Sequence, residues 1–117
     1  MKIAYVSTYL PQQCGIATYT DYVIRAIQKV SPLVEVKVVA EKGALPVKRD
    51  KFEVVPCWDR NENYVDPIIS NIQDVDIVHI QHEYGIYKFD DRLPTLLKQL
   101  KKERKRTIIT IHVSSSN

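Results

Sequence analysis

Short apolar runs alternate with helical stripes along this 117-residue chain, and that alternation narrows the fold more than any other feature. Residues 2–6 read as a buried first strand. Ile16, Thr20, Val23, Ile27 and Val30 recur at helical spacing, with Arg25, Gln28 and Lys29 off that face. Ser31-Pro32 closes this helix, since proline cannot continue one. Residues 33–40 are rich in valine and alternate with Glu35 and Lys37, which makes a second strand. Residues 41–51, polar and holding Gly43 and Pro46, read as a loop. Residues 52–56 form a short third strand, placed towards one edge where proline is tolerated.

The second half repeats the alternation. Asp66-Pro67 has the form of an N-cap followed by proline at the first helical position, with Ile68, Ile69 and Ile72 on the core side. Residues 76–81 are a fourth strand. Asp90-Asp91 marks another helix start, Pro94 fits in its first turn, and Leu93, Leu96, Leu97 and Leu100 form its apolar stripe. Residues 107–113 are the last strand. Strands alternating with helices predict an α/β fold: a Rossmann-like three-layer α/β/α arrangement, with a mostly parallel sheet of about five strands in the order 3-2-1-4-5. In open sheets of this kind ligands bind beyond the strand carboxyl ends, where the strand order reverses. The flanking loops there are residues 7–15 and 81–88.

Composition narrows the class of protein further. No apolar run is long enough to cross a bilayer, and no signal-peptide pattern opens the chain; Met1-Lys2 leads directly into the first strand and reads as a true start. Cys14 and Cys57 are too few for a disulfide framework and read as reduced thiols in a cytoplasmic protein. The net charge of +3 permits an acidic partner without demanding one.

Three clusters sit at strand carboxyl ends: residues 13–17, residues 79–86 and residues 110–114. In the first, Gly15 opens a helix whose free amides favour an anion, and Pro11 stiffens the loop before it. Cys14 beside that helix start is a candidate nucleophile, assisted by His82 or Glu83, or else a small residue packed in a tight loop. His79-x-x-His82 has the look of metal-ligand spacing, but positions i and i+3 of a strand face opposite sides, so no metal site is assigned. His79 alternates with core residues and reads as an interior histidine. His82 and His112, at or past strand ends, are the better site candidates, and Glu83 is placed to orient His82 or to accept from a sugar hydroxyl. No Walker loop follows the first strand, and that strand ends in Ser7-Thr8 rather than in a phosphoacceptor carboxylate pair. Lys98, Lys101, Lys102, Arg104, Lys105 and Arg106 form a basic run, either a solvated helix face or a contact for an anionic membrane surface. It lacks interleaved aromatics, so nucleic acid is not expected as a partner.

The segments Tyr9-Leu10-Pro11-x-x-Cys14-Gly15-Ile16-Ala17-Thr18-Tyr19, Val78 to Ile86 (Val-His-Ile-Gln-His-Glu-Tyr-Gly-Ile) and Thr110-Ile111-His112 together resemble the N-terminal domain of family 4 glycosyltransferases. These are retaining enzymes of the GT-B fold, in which two Rossmann-like domains face each other across a cleft. The resemblance implies an N-terminal, acceptor-side domain over residues 1–117, with the donor-binding C-terminal domain outside this chain, as a partner it lacks. It implies a nucleoside-diphosphate sugar as co-substrate, no tightly bound cofactor, and a glycan or other hydroxyl compound as acceptor. Cys14, Gly15 and Ile16 would then meet the donor phosphates, and His112 the transferred sugar or those phosphates. His82, Glu83, Tyr84 and Gly85 would line the cleft near the acceptor. Many members carry two glycines in the first loop; here Cys14 stands before the single Gly15. The fragment alone would be inactive. A different class is a non-catalytic ligand- or partner-binding module, which an exposed apolar surface near residues 84–89 would favour. A Cys14-dependent hydrolase is a third.

Overall fold

The computed structural model describes residues 1–87 and 90–112, the side chain of Tyr84 excepted. The elements run β1 (Lys2–Ser7), α1 (Gly15–Val30), β2 (Glu35–Glu41), β3 (Val47–Arg49), β4 (Phe52–Trp58), α2 (Val65–Ser70), β5 (Ile77–His82), α3 (Tyr84–Tyr87), α4 (Arg92–Lys102) and β6 (Arg106–Ile111). The strands form one sheet in the order β3-β4-β2-β1-β5-β6, flanked by helices. All neighbours are parallel except β3 and β4.

The sheet therefore differs from the sequence expectation of about five strands in the order 3-2-1-4-5. It has six, and the outermost is β3, within the segment expected to be a loop. A three-residue strand is too short to show a period-2 pattern. Its partner makes it a strand: Val47 pairs with Val54 and Arg49 with Phe52 across a tight turn in which Lys51 takes a φ of 62°. This places β4 one position in from the edge. β4 also runs two residues past Pro56, to Trp58.

Strand alternation divides the apolar residues into two cores. On one face Tyr5, Val38, Phe52 and Val54 pack with Ile24 of α1. On the other, Ala4, Val6, Val78 and Ile80 pack with Ile68 of α2 and Leu96 and Leu100 of α4. The second core ends, towards the strand carboxyl termini, in an aromatic cluster. Trp58 stacks on Tyr87 and meets Tyr64 edge-on, while its indole N–H donates to the Val39 carbonyl (2.8 Å) and the Tyr87 hydroxyl to that of Val6 (3.1 Å). Both hydroxyl- and N–H-bearing rings can be buried because these partners replace water. Burial pushes the Tyr64 phenol up to about 12. At the opposite edge Asp74 receives Lys2 (2.5 Å) and the buried Lys37 (3.4 Å).

Local signals shift in small, explicable ways. The buried stripe of α1 is Ile16, Ala17, Thr20 and Ile24, with Val23 and Ile27 half-buried beside it, while Val30 is 83% exposed. α2 starts at Val65 rather than Pro67. Its amide is capped by the Asn63 side chain (3.0 Å), so Asp66 lies inside the first turn. At α4, Asp91 holds the N-cap position without a side-chain bond, and Asp90 takes the Arg92 amide (2.9 Å). Val113 and the serines after it lie outside the described residues.

The displaced α1 stripe is checked by substitution. Ile24→Ala should lower the unfolding free energy by about 2–4 kcal/mol, and Val30→Ala should change it by less than about 0.5 kcal/mol. Urea midpoints of the two variants should differ accordingly.

Candidate functional site

β1 ends at Ser7, and the chain turns through Pro11 and Gln12 into Cys14, the extended N-cap of α1. The Cys14 sulfur takes the acceptor role usually met by a serine or aspartate oxygen. It accepts from the Ala17 amide (3.4 Å) and shares a hydrogen bond with the Thr8 hydroxyl (3.1 Å). The Cys14 carbonyl takes the Thr18 amide (3.3 Å). Of the four amides a helix start leaves without intrahelical acceptors, those of Gly15 and Ile16 have no acceptor among the described residues. A Cβ built on Gly15 would meet nothing within 4 Å, so the space beside these amides is clear.

The extension of β4 brings Arg60 to the same edge. Its guanidinium grips Glu41, at the end of β2, through Nε (2.8 Å) and Nη2 (2.5 Å), and the Arg60 amide donates to the same carboxylate (3.0 Å). Glu41 is buried, and the Gln12 side chain adds a fourth donor at 3.3 Å. Burial pushes the Glu41 carboxyl up, but the Arg60 bonds and charge outweigh it and leave the group below its ordinary value. The remaining Arg60 nitrogen, Nη1, donates to the Gly85 carbonyl (3.3 Å), which sets the guanidinium between the β1–α1 turn and α3.

β5 and β6 supply the third side. His112 follows β6 directly; its amide donates to the His82 carbonyl (2.8 Å), its Nε2 to Gln81 Oε1 (2.7 Å), and its ring meets Tyr19 of α1 edge-on at 4.8 Å. Glu83 opens α3: its carboxylate accepts the Gly85 amide (3.0 Å) and its carbonyl that of Ile86 (2.9 Å). A Cβ at Gly85 would lie 2.9 Å from the Glu83 carboxylate, so a larger residue there would make that side chain shift. Cys14, Gly15, Ile16, Arg60, Glu83, Ile86 and His112 together line one cavity of about 450 Å³, within the range of small-molecule sites.

No family model, curated protein or solved structure matches the chain.

Of the expected site residues, Cys14, Gly15, Ile16, Glu83 and His112 converge on the cavity, and Gly85 frames it through its carbonyl to Arg60. His82 does not line it. β5 continues through His82, which turns its ring to the helical face that carries Val78 and Ile80, buried and stacked on Tyr87 at 5.5 Å. Its Nδ1 has no hydrogen-bond partner among the described residues, so Glu83 does not orient it there. The Tyr84 side chain lies outside the described residues, as do Lys88 and Phe89 of the expected 81–88 loop and 84–89 surface; Ile86 and Tyr87 in that segment are buried. His79 and His82 fall on opposite faces, and no group of three metal-ligating side chains occurs among the described residues. His79 is not fully interior but half-buried, stacked on Tyr5 and bonded through Nε2 to Thr110 (2.6 Å).

Sequence reasoning missed Arg60, Glu41 and Gln81. The available signal was position: Arg60 stands two residues past a strand, at its carboxyl end, where ligand-facing groups collect.

Two measurements test this geometry. Arg60→Ala strands a buried carboxylate and should cost about 3 kcal/mol in unfolding free energy; Glu41→Gln/Arg60→Ala together should recover part of it. His79 is held below its ordinary value by burial and by the charge of His112. A histidine whose folded value is depressed contributes stability above its unfolded value that is lost as pH falls through the folded one. Urea midpoints should therefore drop as pH falls from about 6.5, and His79→Gln should flatten that part of the slope.

Proposed function

We propose that this chain is the acceptor-side portion of a retaining glycosyltransferase, a Rossmann-like half of a GT-B architecture. The parent reaction moves a sugar from a nucleoside-diphosphate sugar to an acceptor hydroxyl. The observation that carries the proposal is the convergence of the Gly15 and Ile16 amides and His112 on one cavity at the sheet's carboxyl edge, with Arg60 held in its wall by Glu41 and Gly85.

Those groups suit one chemical need. As the bond between the anomeric carbon and the donor phosphate breaks, the electron pair stays on the diphosphate. Fixed donors aimed at that charge lower the barrier without reorganising. The Gly15 and Ile16 amides would meet the phosphate oxygens. His112, its ring held by Gln81 and Tyr19, would contact the transferred sugar or the same phosphates. Glu83 has carboxylate capacity beyond its bond to Gly85 and would accept from an acceptor hydroxyl. Most nucleotide contacts would come from a second domain across the cleft, so the chain alone would not turn over substrate.

This reading places the protein in the cytoplasm. No helix among the described residues is long and apolar enough to cross a membrane. Lys98, Lys101, Lys102, Arg104 and Arg106 are exposed and would give peripheral contact with an anionic surface, whereas Lys105 spends its ammonium on the Gln73 and Val75 carbonyls. A non-catalytic partner-binding module is the second reading, favoured by exposed Ile108, Ile109 and Ile111 on the edge strand β6.

The test is a titration of the ¹⁵N-labelled chain with pyrophosphate and with uridine diphosphate. Saturable shifts at Gly15, Ile16 and Ala17 with a roughly millimolar Kd are expected. No shift at those amides would remove the anion site, and micromolar nucleotide binding would contradict an acceptor-side role. In a protein that joins this domain to a donor-binding domain, His112→Ala should lower kcat by about 10²-fold.

A further inference from the structure

A second concavity, of about 420 Å³, shares no lining residue with the first. It runs along the opposite flank of α1 from His112: Asp21, Ile24, Arg25 and Gln28 face it, whereas Tyr19 lies on the other side of the helix. Its far wall is the segment entering the β3–β4 hairpin, with Leu45, Arg49 and Phe52.

The floor is apolar and aromatic. Ile24 and Phe52 are buried there, and the Tyr9 ring tilts against Phe52 at 6.1 Å. Leu45 stands over it, 63% exposed. The charges are unequal. Asp21 is fully engaged, one oxygen taking the Tyr9 hydroxyl (2.6 Å) and the other Arg25 Nε (3.0 Å). Arg25 and Asp21 thus neutralise each other. Arg49 lies with its guanidinium 4.7 Å over the Phe52 ring, and no carboxylate among the described residues is within ion-pair distance of it. The lining carries one uncompensated positive charge beside an aromatic floor.

We propose that this groove binds a small organic monoanion: one carboxylate or sulfonate on a flat apolar body. The anion takes the free N–H groups of Arg49, whose planar fork matches a two-oxygen acceptor. The body lies beside the Arg49–Phe52 stack, against the Ile24 side of the floor and under Leu45. A dianionic phosphate without an apolar body would gain the charge and forgo the floor, so the groove is distinct in its ligand class from the helix-start cavity.

The probe is 2-naphthoate, followed by amide shifts of the ¹⁵N-labelled chain, with 2-naphthamide as its uncharged counterpart. Saturable shifts confined to residues 9–10, 21–28 and 45–52 are expected, with the amide binding about tenfold more weakly. Arg49→Ala should weaken naphthoate about tenfold. Leu45→Asp, at an exposed position that does not threaten folding, should abolish binding by repelling the anion. Pyrophosphate at its own cavity should not compete, so loss of either site leaves the other measurable. Equal affinity for acid and amide, retention of binding in both variants, or the absence of saturable shifts in the groove would each overturn the proposal.

Discussion

Parallel pairing is the constraint from which the rest of this molecule follows. Two parallel neighbours cannot be joined by a tight turn, so each such step needs a longer connection; β2 reaches β4 through β3, and the other such steps each lay a helix on a face. The steps from β1 to β2 and from β5 to β6 use α1 and α4 in this way, and the two cores are the consequence. The same pairing sends the carboxyl ends of five strands to one edge. Loops of different origin are thereby forced together. β3 escapes the rule because it is antiparallel, and a two-residue connection is enough for it.

What holds those loops in place is a chain of polar contacts over an aromatic base. Gln12 from the first loop and Arg60 from the loop after β4 both bond Glu41 at the end of β2, and Arg60 reaches on to Gly85 beside β5. A buried carboxylate with a single partner would be a liability, since desolvation costs more than one contact returns. Four donors change that balance, three from Arg60 and one from Gln12, so two loops are tied to the end of β2. The ion pair is therefore better understood as fixing relative positions than as adding stability. Beneath it Trp58, Tyr64 and Tyr87 fill the volume between β4, α2 and α3, so the loops rest on a packed surface.

The strands and long helices were legible because their signals are redundant: several valines or leucines repeat at one period, and a single misplaced residue does not erase the pattern. Features that depend on one residue were not. His82 was placed in the cleft on the expectation that β5 stops at Gln81; with period 2, one more strand residue turns that ring to the other face. Arg60 was hidden for the same reason, since ending β4 at Pro56 leaves Arg60 deep in a loop instead of near a strand end. The α2 cap failed differently. Asp66-Pro67 is a sound helix-start signal, but Asn63 three residues earlier also carries an oxygen, and tertiary packing of Tyr64 and Val65 decided between them. Cys14, Gly15 and His112 were found because each stands at an element boundary with an unusual residue type, which local chemistry marks directly.

The two glycines of the site make opposite cases. Gly85 is favoured by the fold: its amide is capped by Glu83, and a Cβ would make that flexible carboxylate shift. Gly15 is not. It has an ordinary helical backbone, and a Cβ would point into open space. Helix propensity favours alanine over glycine there by up to about 1 kcal/mol, less at a first-turn position. On the proposed function, Gly15 would leave room for a phosphate to approach the helix-start amides, across the cavity from Arg60 and His112. An added methyl would leave the chain folded and stand between those amides and whatever they bind, which makes Gly15 the position where stability and binding separate most cleanly.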